Sequence, residues 1–160
     1  MSQIVTGQFD QECSKFQWKR WQYRAGHLDS LKTASPPIPC QHGVYIIRAP
    51  APLARVRGSS DIVYIGQSGG GKRGGKRGGK QGIGPGNGGP GRLFNTRGSD
   101  EVVREKIESL FDGQRFSLEC AFVEQDDPES IEERLLRAYF EDHYELPPAN
   151  HSKRAVSDAT

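Results

Sequence analysis

The segment from Gly66 to Gly91 constrains the fold more than any other part of the 160-residue chain. It holds 14 of the 20 glycines, and Ile83 is its only apolar residue. Glycine loses more conformational freedom on folding than any other residue, and a segment with so little apolar surface has little to bury. We therefore predict one modest core, interrupted by a Gly-rich insertion at 66–91.

The same insertion carries the excess positive charge of the chain. The net formal charge is +2, and the insertion holds five cations without any Asp or Glu, which leaves −3 for the remainder. Positive charge concentrated on a Gly-rich segment favours contact with a polyanion. The residues predicted to bind the phosphates of such a polyanion are these five and one more cation beyond the insertion: Lys72, Arg73, Lys76, Arg77, Lys80 and Arg97.

Cysteine usage and hydropathy indicate in which cellular compartment the protein is found. Cys13, Cys40 and Cys120 are far apart and form no C-x-x-C pair, which argues against a structural zinc site and favours a reducing compartment. No apolar run is long enough to span a membrane, and no signal peptide begins the chain. We therefore expect a soluble, cytoplasmic protein without a membrane partner.

Apolar periodicity predicts the element order strand, strand, helix, helix, strand, helix. The strands are expected at 43–47, 61–65 and 116–122, with Pro50 and Pro52 ending the first of them. The helices are expected at 90–98, from Ser99 to Gly113, and from an Asp127 N-cap to the prolines after Leu146. The prediction is an α+β fold with a small three-stranded antiparallel sheet flanked by helices.

The domain at 43–150 is preceded by an N-terminal extension at 1–42 and followed by a polar tail at 151–160. In the extension, aromatic and basic residues alternate, as in Trp21, Tyr23 and Arg24. Such interleaving can bind nucleic acid by stacking, or the rings can pack on the domain. We favour packing, because two tryptophans are costly to leave in water.

A phosphate-loop pattern at Gly66 to Lys72 makes nucleotide binding a third hypothesis, which two features of the sequence disfavour. The pattern G-x-x-x-x-G-K is present after a strand, but Arg73 stands where Ser or Thr would bind Mg²⁺. The glycines that follow also disfavour the helix whose N-terminal N–H groups hold phosphates.

Two tyrosines are predicted side by side on the first hairpin. A register that places Tyr45 opposite Tyr64 also places Ile47 opposite Ile62, and opposed residues have Cβ atoms roughly 5 Å apart on one face. On these residues alone, the favoured interpretation is that both tyrosines are ordinary core residues.

The sequence around these tyrosines resembles the GIY-YIG nuclease family. Gly43-Val44-Tyr45 and Tyr64-Ile65-Gly66 resemble the two tripeptides that name the family. The family's helical Arg is matched by Arg92, its metal-binding Glu by Glu132 in Glu-Glu-Arg-Leu-Leu, and its closing Asn by Asn150. The resemblance runs from Gly43 to Asn150.

The resemblance implies a DNA endonuclease that hydrolyses phosphodiester bonds by water attack at a single Mg²⁺ or Mn²⁺. Its catalytic residues would be Tyr45, Tyr64, Arg92 and Glu132, with Glu132 binding the metal and Gly43, Gly66 and Asn150 in support. Either tyrosine can activate the water, and Arg97 is an alternative to Arg92 as the catalytic arginine. The choice between DNA and RNA as the substrate stays open. The alternative is a non-catalytic nucleic-acid-binding module that uses the basic Gly-rich loop.

Overall fold

In a computed structural model of the chain, the described residues are 7–69, 82–86, 91–94, 99–123 and 127–150. They form a four-stranded sheet with helices on both faces, which confirms the predicted α+β class. The helices are α1 (Gln8–Cys13), a 3₁₀ helix (Leu28–Thr33), α2 (Ser99–Ser109) and α3 (Pro128–His143). The strands are β1 (Lys19–Arg24), β2 (Gly43–Ala54), β3 (Ser59–Ser68) and β4 (Arg115–Phe122).

The sheet has the strand order β1-β4-β2-β3, and all of its strand pairs are antiparallel. The prediction of three strands was wrong, because β1 from the N-terminal extension pairs with β4 along its whole length. The aromatic and basic residues of β1 alternate between buried and exposed positions, so Trp21 and Tyr23 are buried in the core. These two rings therefore pack on the domain, as the sequence analysis favours.

The sheet separates two hydrophobic clusters. Tyr45 and Ile47 belong to the cluster that β1, the 3₁₀ helix and the segment before α2 help to form. Val44 and Ile46 belong to the cluster on the other side, which α3 covers. The apolar stripe of α3 is buried as predicted, and its first turn is capped by the Asp127 side chain, which accepts from the Glu129 N–H at 3.2 Å.

Several predicted end points were wrong. α2 ends at Ser109 instead of at Gly113, and β3 is longer than the predicted 61–65 at both ends. β2 continues through Pro50 and Pro52 to Ala54, because both prolines lie where the ladder with β3 is interrupted, so no ladder donor is lost. α3 ends at His143, before the prolines, because Tyr144 adopts a left-handed conformation with φ of 59°.

The Gly-rich insertion is not entirely outside the core. Ile83 is fully buried, and its backbone N–H donates to the Gln41 carbonyl at 2.9 Å. The structure describes residues 91–94 of the helix predicted at 90–98, and these four residues are not helical. There Gly91 has a φ of +79°, and the Leu93 N–H donates to the Ile83 carbonyl instead of to a helical partner.

Candidate active site

Tyr45 and Tyr64 form a pair on one face of the sheet, although not in the predicted register. Tyr45 lies opposite Gly66 in the β2–β3 ladder, and Tyr64 lies opposite Ile47. The prediction of Tyr45 opposite Tyr64 was wrong, since the ladder from Gly43 to Ile47 is offset by two residues from that register. The offset of two residues keeps both side chains on one face. Their ring centroids are 5.8 Å apart, and the ring planes are inclined by 39°.

The glycines of both tripeptides are required by close approaches. A Cβ atom at Gly66 would lie 2.6 Å from Tyr45 Cζ and 2.7 Å from Tyr64 Cε1. Only the absence of a side chain lets the two rings meet over this backbone. A Cβ atom at Gly43 would instead collide with the Ala121 carbonyl oxygen of β4. Gly66 therefore permits the close approach of the two tyrosine rings, whereas Gly43 permits the close approach of β2 and β4.

Asn150 holds the outer edge of β3 next to the tyrosine pair. Its Oδ1 accepts from the Ile65 N–H at 2.9 Å, and its Nδ2 donates to the Ile65 carbonyl at 2.8 Å. The adjacent Ala149 N–H donates to the Val63 carbonyl at 3.0 Å. Because Ile65 directly follows Tyr64, the segment after α3 fixes the backbone that carries one of the two phenols.

Tyr45 is only 3% exposed, and four other side chains influence its hydroxyl. Burial raises the pKa of Tyr45 to about 12, and the negative charge of Glu132 acts in the same direction. The positive charges of Arg104 and Arg92 lower this pKa, as does a hydrogen bond with the Tyr64 side chain. Residues from four separate parts of the chain thus act on one phenol.

Replacement of Tyr45 by Phe should reduce the loss of stability at alkaline pH. The folded-state pKa is about 12, and the unfolded value is about 10. The phenol therefore contributes stability that is fully present below about pH 10 and is lost as the pH rises to about 12. Near pH 11.5 the lost free energy of unfolding is about 2 kcal/mol.

The measurement is the urea midpoint and slope of wild type and Tyr45→Phe, near pH 9 and near pH 11.5. The wild-type free energy of unfolding should fall by about 2 kcal/mol more than that of the variant between the two pH values. An equal fall in both proteins would contradict the burial of this hydroxyl.

Arg92 and Glu132 approach the tyrosine pair from different elements. The Arg92 side chain is exposed, while its backbone N–H donates to the Gly82 carbonyl at 2.9 Å. Glu132 is half-buried on α3, and the adjacent Glu133 is exposed. This difference favours Glu132 over Glu133 as the carboxylate that faces the site.

Arg104 on α2 was missed by the sequence analysis. It is 7% exposed, and the nearest carboxylate oxygen of Glu101 lies 4.0 Å from its guanidinium. Among the charges that lower the pKa of Tyr45, that of Arg104 has the largest effect. The signal was present in the spacing, because Arg104 and Glu108 lie four residues apart on the same helical stripe as Ile107. Both polar side chains are buried.

The oxygen donors of the site suit a hard divalent cation. Within the described residues, no group of three or more His, Cys, Asp or Glu side chains is arranged to bind a metal ion. Mg²⁺ is commonly bound through one or two carboxylates and retains several waters. Glu132, half-buried and close enough to influence Tyr45, fits this mode of binding.

The predicted DNA-binding cations lie outside the described residues. They are Lys72, Arg73, Lys76, Arg77, Lys80 and Arg97. Arg92 and Arg97 are alternatives for one catalytic role. Of these two, Arg92 alone is among the described residues, and its charge lowers the pKa of Tyr45.

Comparison with known proteins finds no match among family models, curated proteins or solved structures. Across the described part of the chain, no helix is both long and apolar enough to cross a membrane.

Proposed function

We propose that this protein is a metal-dependent endonuclease that hydrolyses phosphodiester bonds of DNA, as its resemblance to GIY-YIG nucleases implies. The observation that supports this most is the convergence on Tyr45. Tyr64, Arg92 and Glu132, the other three residues singled out for catalysis, all influence its hydroxyl. A pair of core tyrosines would need neither a neighbouring arginine nor a carboxylate.

The two tyrosines have different access to solvent, which suggests different roles. Tyr64 is half-buried, and Tyr45 is almost completely buried. Tyr64 is therefore the better candidate to contact the attacking water. Tyr45 forms a hydrogen bond with the Tyr64 side chain. Because burial raises the pKa of Tyr45 to about 12, this phenol is protonated at neutral pH. Arg104 and Arg92 favour the ionised form that proton transfer requires.

Arg92 is suited to binding the scissile phosphate. Its exposed guanidinium can donate two parallel hydrogen bonds to phosphate oxygens, which an ammonium group cannot do with the same geometry. The backbone at Arg92 is fixed by its hydrogen bond to Gly82, so the side chain extends from an anchored position. Positioning of this kind matters because charge develops on the phosphoryl oxygens as the water attacks.

Glu132 would hold the divalent cation, either Mg²⁺ or Mn²⁺. When bound, such an ion supplies positive charge for the phosphoryl oxygens and lowers the pKa of a bound water. Glu132 contributes the negative charge that attracts the cation, and its place on α3 is secured by the buried stripe that begins at Ile131. The carboxylate thus extends from a rigid element instead of from a loop.

Supercoiled plasmid incubated with the full chain tests the proposal. With Mg²⁺ we expect conversion to nicked or linear DNA, and with EDTA we expect none. Plasmid that is retarded on a gel but stays supercoiled in Mg²⁺ and in Mn²⁺ would sink the endonuclease and support the non-catalytic binding module. RNA of matched length, included in the same assay, determines whether the activity is confined to DNA.

A further inference from the structure

Two arginines face each other at the end of the β1–β4 ladder. Arg24 and Arg115 are direct cross-strand partners, and both are exposed. Like charges directly opposite each other in an antiparallel pair destabilise the sheet. The pair is therefore an unfavourable feature of the fold, unless something outside the fold neutralises it.

The described residues do not supply that neutralisation. None of their carboxylates forms an ion pair with Arg24 or Arg115, and the Arg115 side chain donates to the neutral Gln22 side chain, at 3.2 Å. The situation differs elsewhere in the sheet. Arg20 pairs with Glu119 at 3.4 Å, and Arg48 pairs with Asp61 at 2.7 Å.

The two arginines also line a concavity of about 640 Å³. We call it the arginine pocket, and its lining residues are Gln22, Tyr23, Arg24, His27, Ser30 and Arg115. None of these side chains is a carboxylate, and each of their polar groups can donate a hydrogen bond. Tyr23 is already engaged, because its hydroxyl donates to Glu108 at 2.5 Å. The pocket thus offers two guanidinium forks, an imidazole, an amide and a hydroxyl to an anion.

From this geometry we infer that the arginine pocket binds the phosphate backbone of a nucleic acid, at a site separate from the tyrosine pair. The inference rests on the proposed function for the identity of the polymer. Arg115 lies five residues from Cys120, the β4 partner of Tyr45, so its side chain is about 17 Å away along the strand and on the opposite face of the sheet. A mononucleotide cannot contact both sites, whereas a longer polynucleotide that passes around β1, an edge strand of the sheet, can do so.

Size and charge together favour a polymer backbone over a small anion. The concavity is of the size that accommodates a nucleotide-sized group, far larger than one phosphate ion. Fork-shaped guanidinium groups match phosphate oxygens and do not read base sequence. The pocket should therefore raise affinity for all sequences alike.

The test is a salt titration of affinity for a duplex of about 30 base pairs, measured by fluorescence anisotropy in EDTA. The variant is Arg24→Gln combined with Arg115→Gln. Two lost phosphate contacts should flatten the slope of log K against log salt by about 1.8. Each contact contributes a factor of about 8 near 0.1 M salt, so affinity should fall by about 60-fold.

The matched control is Arg20→Gln, on the same strand as Arg24 but already neutralised by Glu119. It should leave the slope almost unchanged. Arg24→Lys combined with Arg115→Lys keeps the charges and should retain most of the slope. The double Gln variant should melt at the same temperature as wild type or higher, because it removes a like-charge repulsion. If the two arginines served only the stability of the fold, the double Gln variant would have a lower melting temperature and an unchanged salt slope.

An unchanged slope in the double Gln variant would overturn the inference, as would an equal change in the Arg20→Gln control. Tight binding of a 5′-mononucleotide that the double variant abolishes, without any change in duplex affinity, would assign the pocket to a small ligand and also overturn it. Absence of duplex binding by wild type would do the same. Because the titration contains EDTA, failure to cleave plasmid in Mg²⁺ refutes the endonuclease alone and leaves this measurement valid.

Discussion

Replacement of Glu132 by Gln should reduce DNA cleavage by about 100-fold or more, while DNA affinity measured in EDTA stays the same. The substitution keeps the size of the side chain and removes the negative charge that would hold the cation. Charge stabilisation by a metal ion accounts for several kcal/mol of the activation barrier, and each 1.36 kcal/mol corresponds to about tenfold in rate. The rate of plasmid nicking at saturating Mg²⁺ gives the comparison.

Glu133→Gln is the matched control for this prediction. Glu133 is the next residue of α3, carries the same charge and is exposed, but it is turned by about 100° around the helix axis. It should retain nearly full activity and the same melting temperature. If the control loses activity and Glu132→Gln keeps it, the wrong face of α3 has been assigned to the site.

Local sequence patterns predicted α3 well because its determinants are local. Asp127 caps the helix, Pro128 occupies the first helical position, and the spacing of Ile131, Leu135 and Tyr139 defines the buried stripe. Each of these features acts within one or two turns of the chain. The sequence therefore also predicted correctly which side of α3 faces the core.

Long-range pairing was the main feature that local patterns did not predict. The alternation in β1 is a strand pattern in its own right, but its partner β4 begins at Arg115, far along the chain. The interleaving of aromatic and basic residues had two interpretations, stacking on nucleic acid or packing. Only the pairing with β4 decides that Trp21 and Tyr23 belong to the core.

The details of the candidate site also depend on contacts between distant segments. Either register of the β2–β3 hairpin places Tyr45 and Tyr64 on the same face, so alternation cannot distinguish them. Arg104 was overlooked because charged residues are seldom buried, and its position near Tyr45 comes from the packing of α2. Ile83 was assigned to an unpacked insertion on composition, yet it is fully buried.

Replacement of Gly66 by Ala should abolish most of the cleavage activity, because it displaces the rings of Tyr45 and Tyr64. The added Cβ would lie 2.6 Å from Tyr45 Cζ and 2.7 Å from Tyr64 Cε1, which is too close for either ring to stay in place. Overpacking of this kind costs about 1–3 kcal/mol in the free energy of unfolding. Displacement of catalytic groups by about 1 Å can lower a rate by about 100-fold.

Gly43→Ala separates the loss of the tyrosine pair from a general loss of stability. Its Cβ would collide with the backbone of β4 at Ala121 and not with the two rings, so it should lower the melting temperature without a selective effect on the phenols. Near-ultraviolet circular dichroism should change strongly in Gly66→Ala and weakly in Gly43→Ala. Cleavage that falls in proportion to stability in both variants would mean that Gly66 serves the sheet, and that the close approach of Tyr45 and Tyr64 is not required for catalysis.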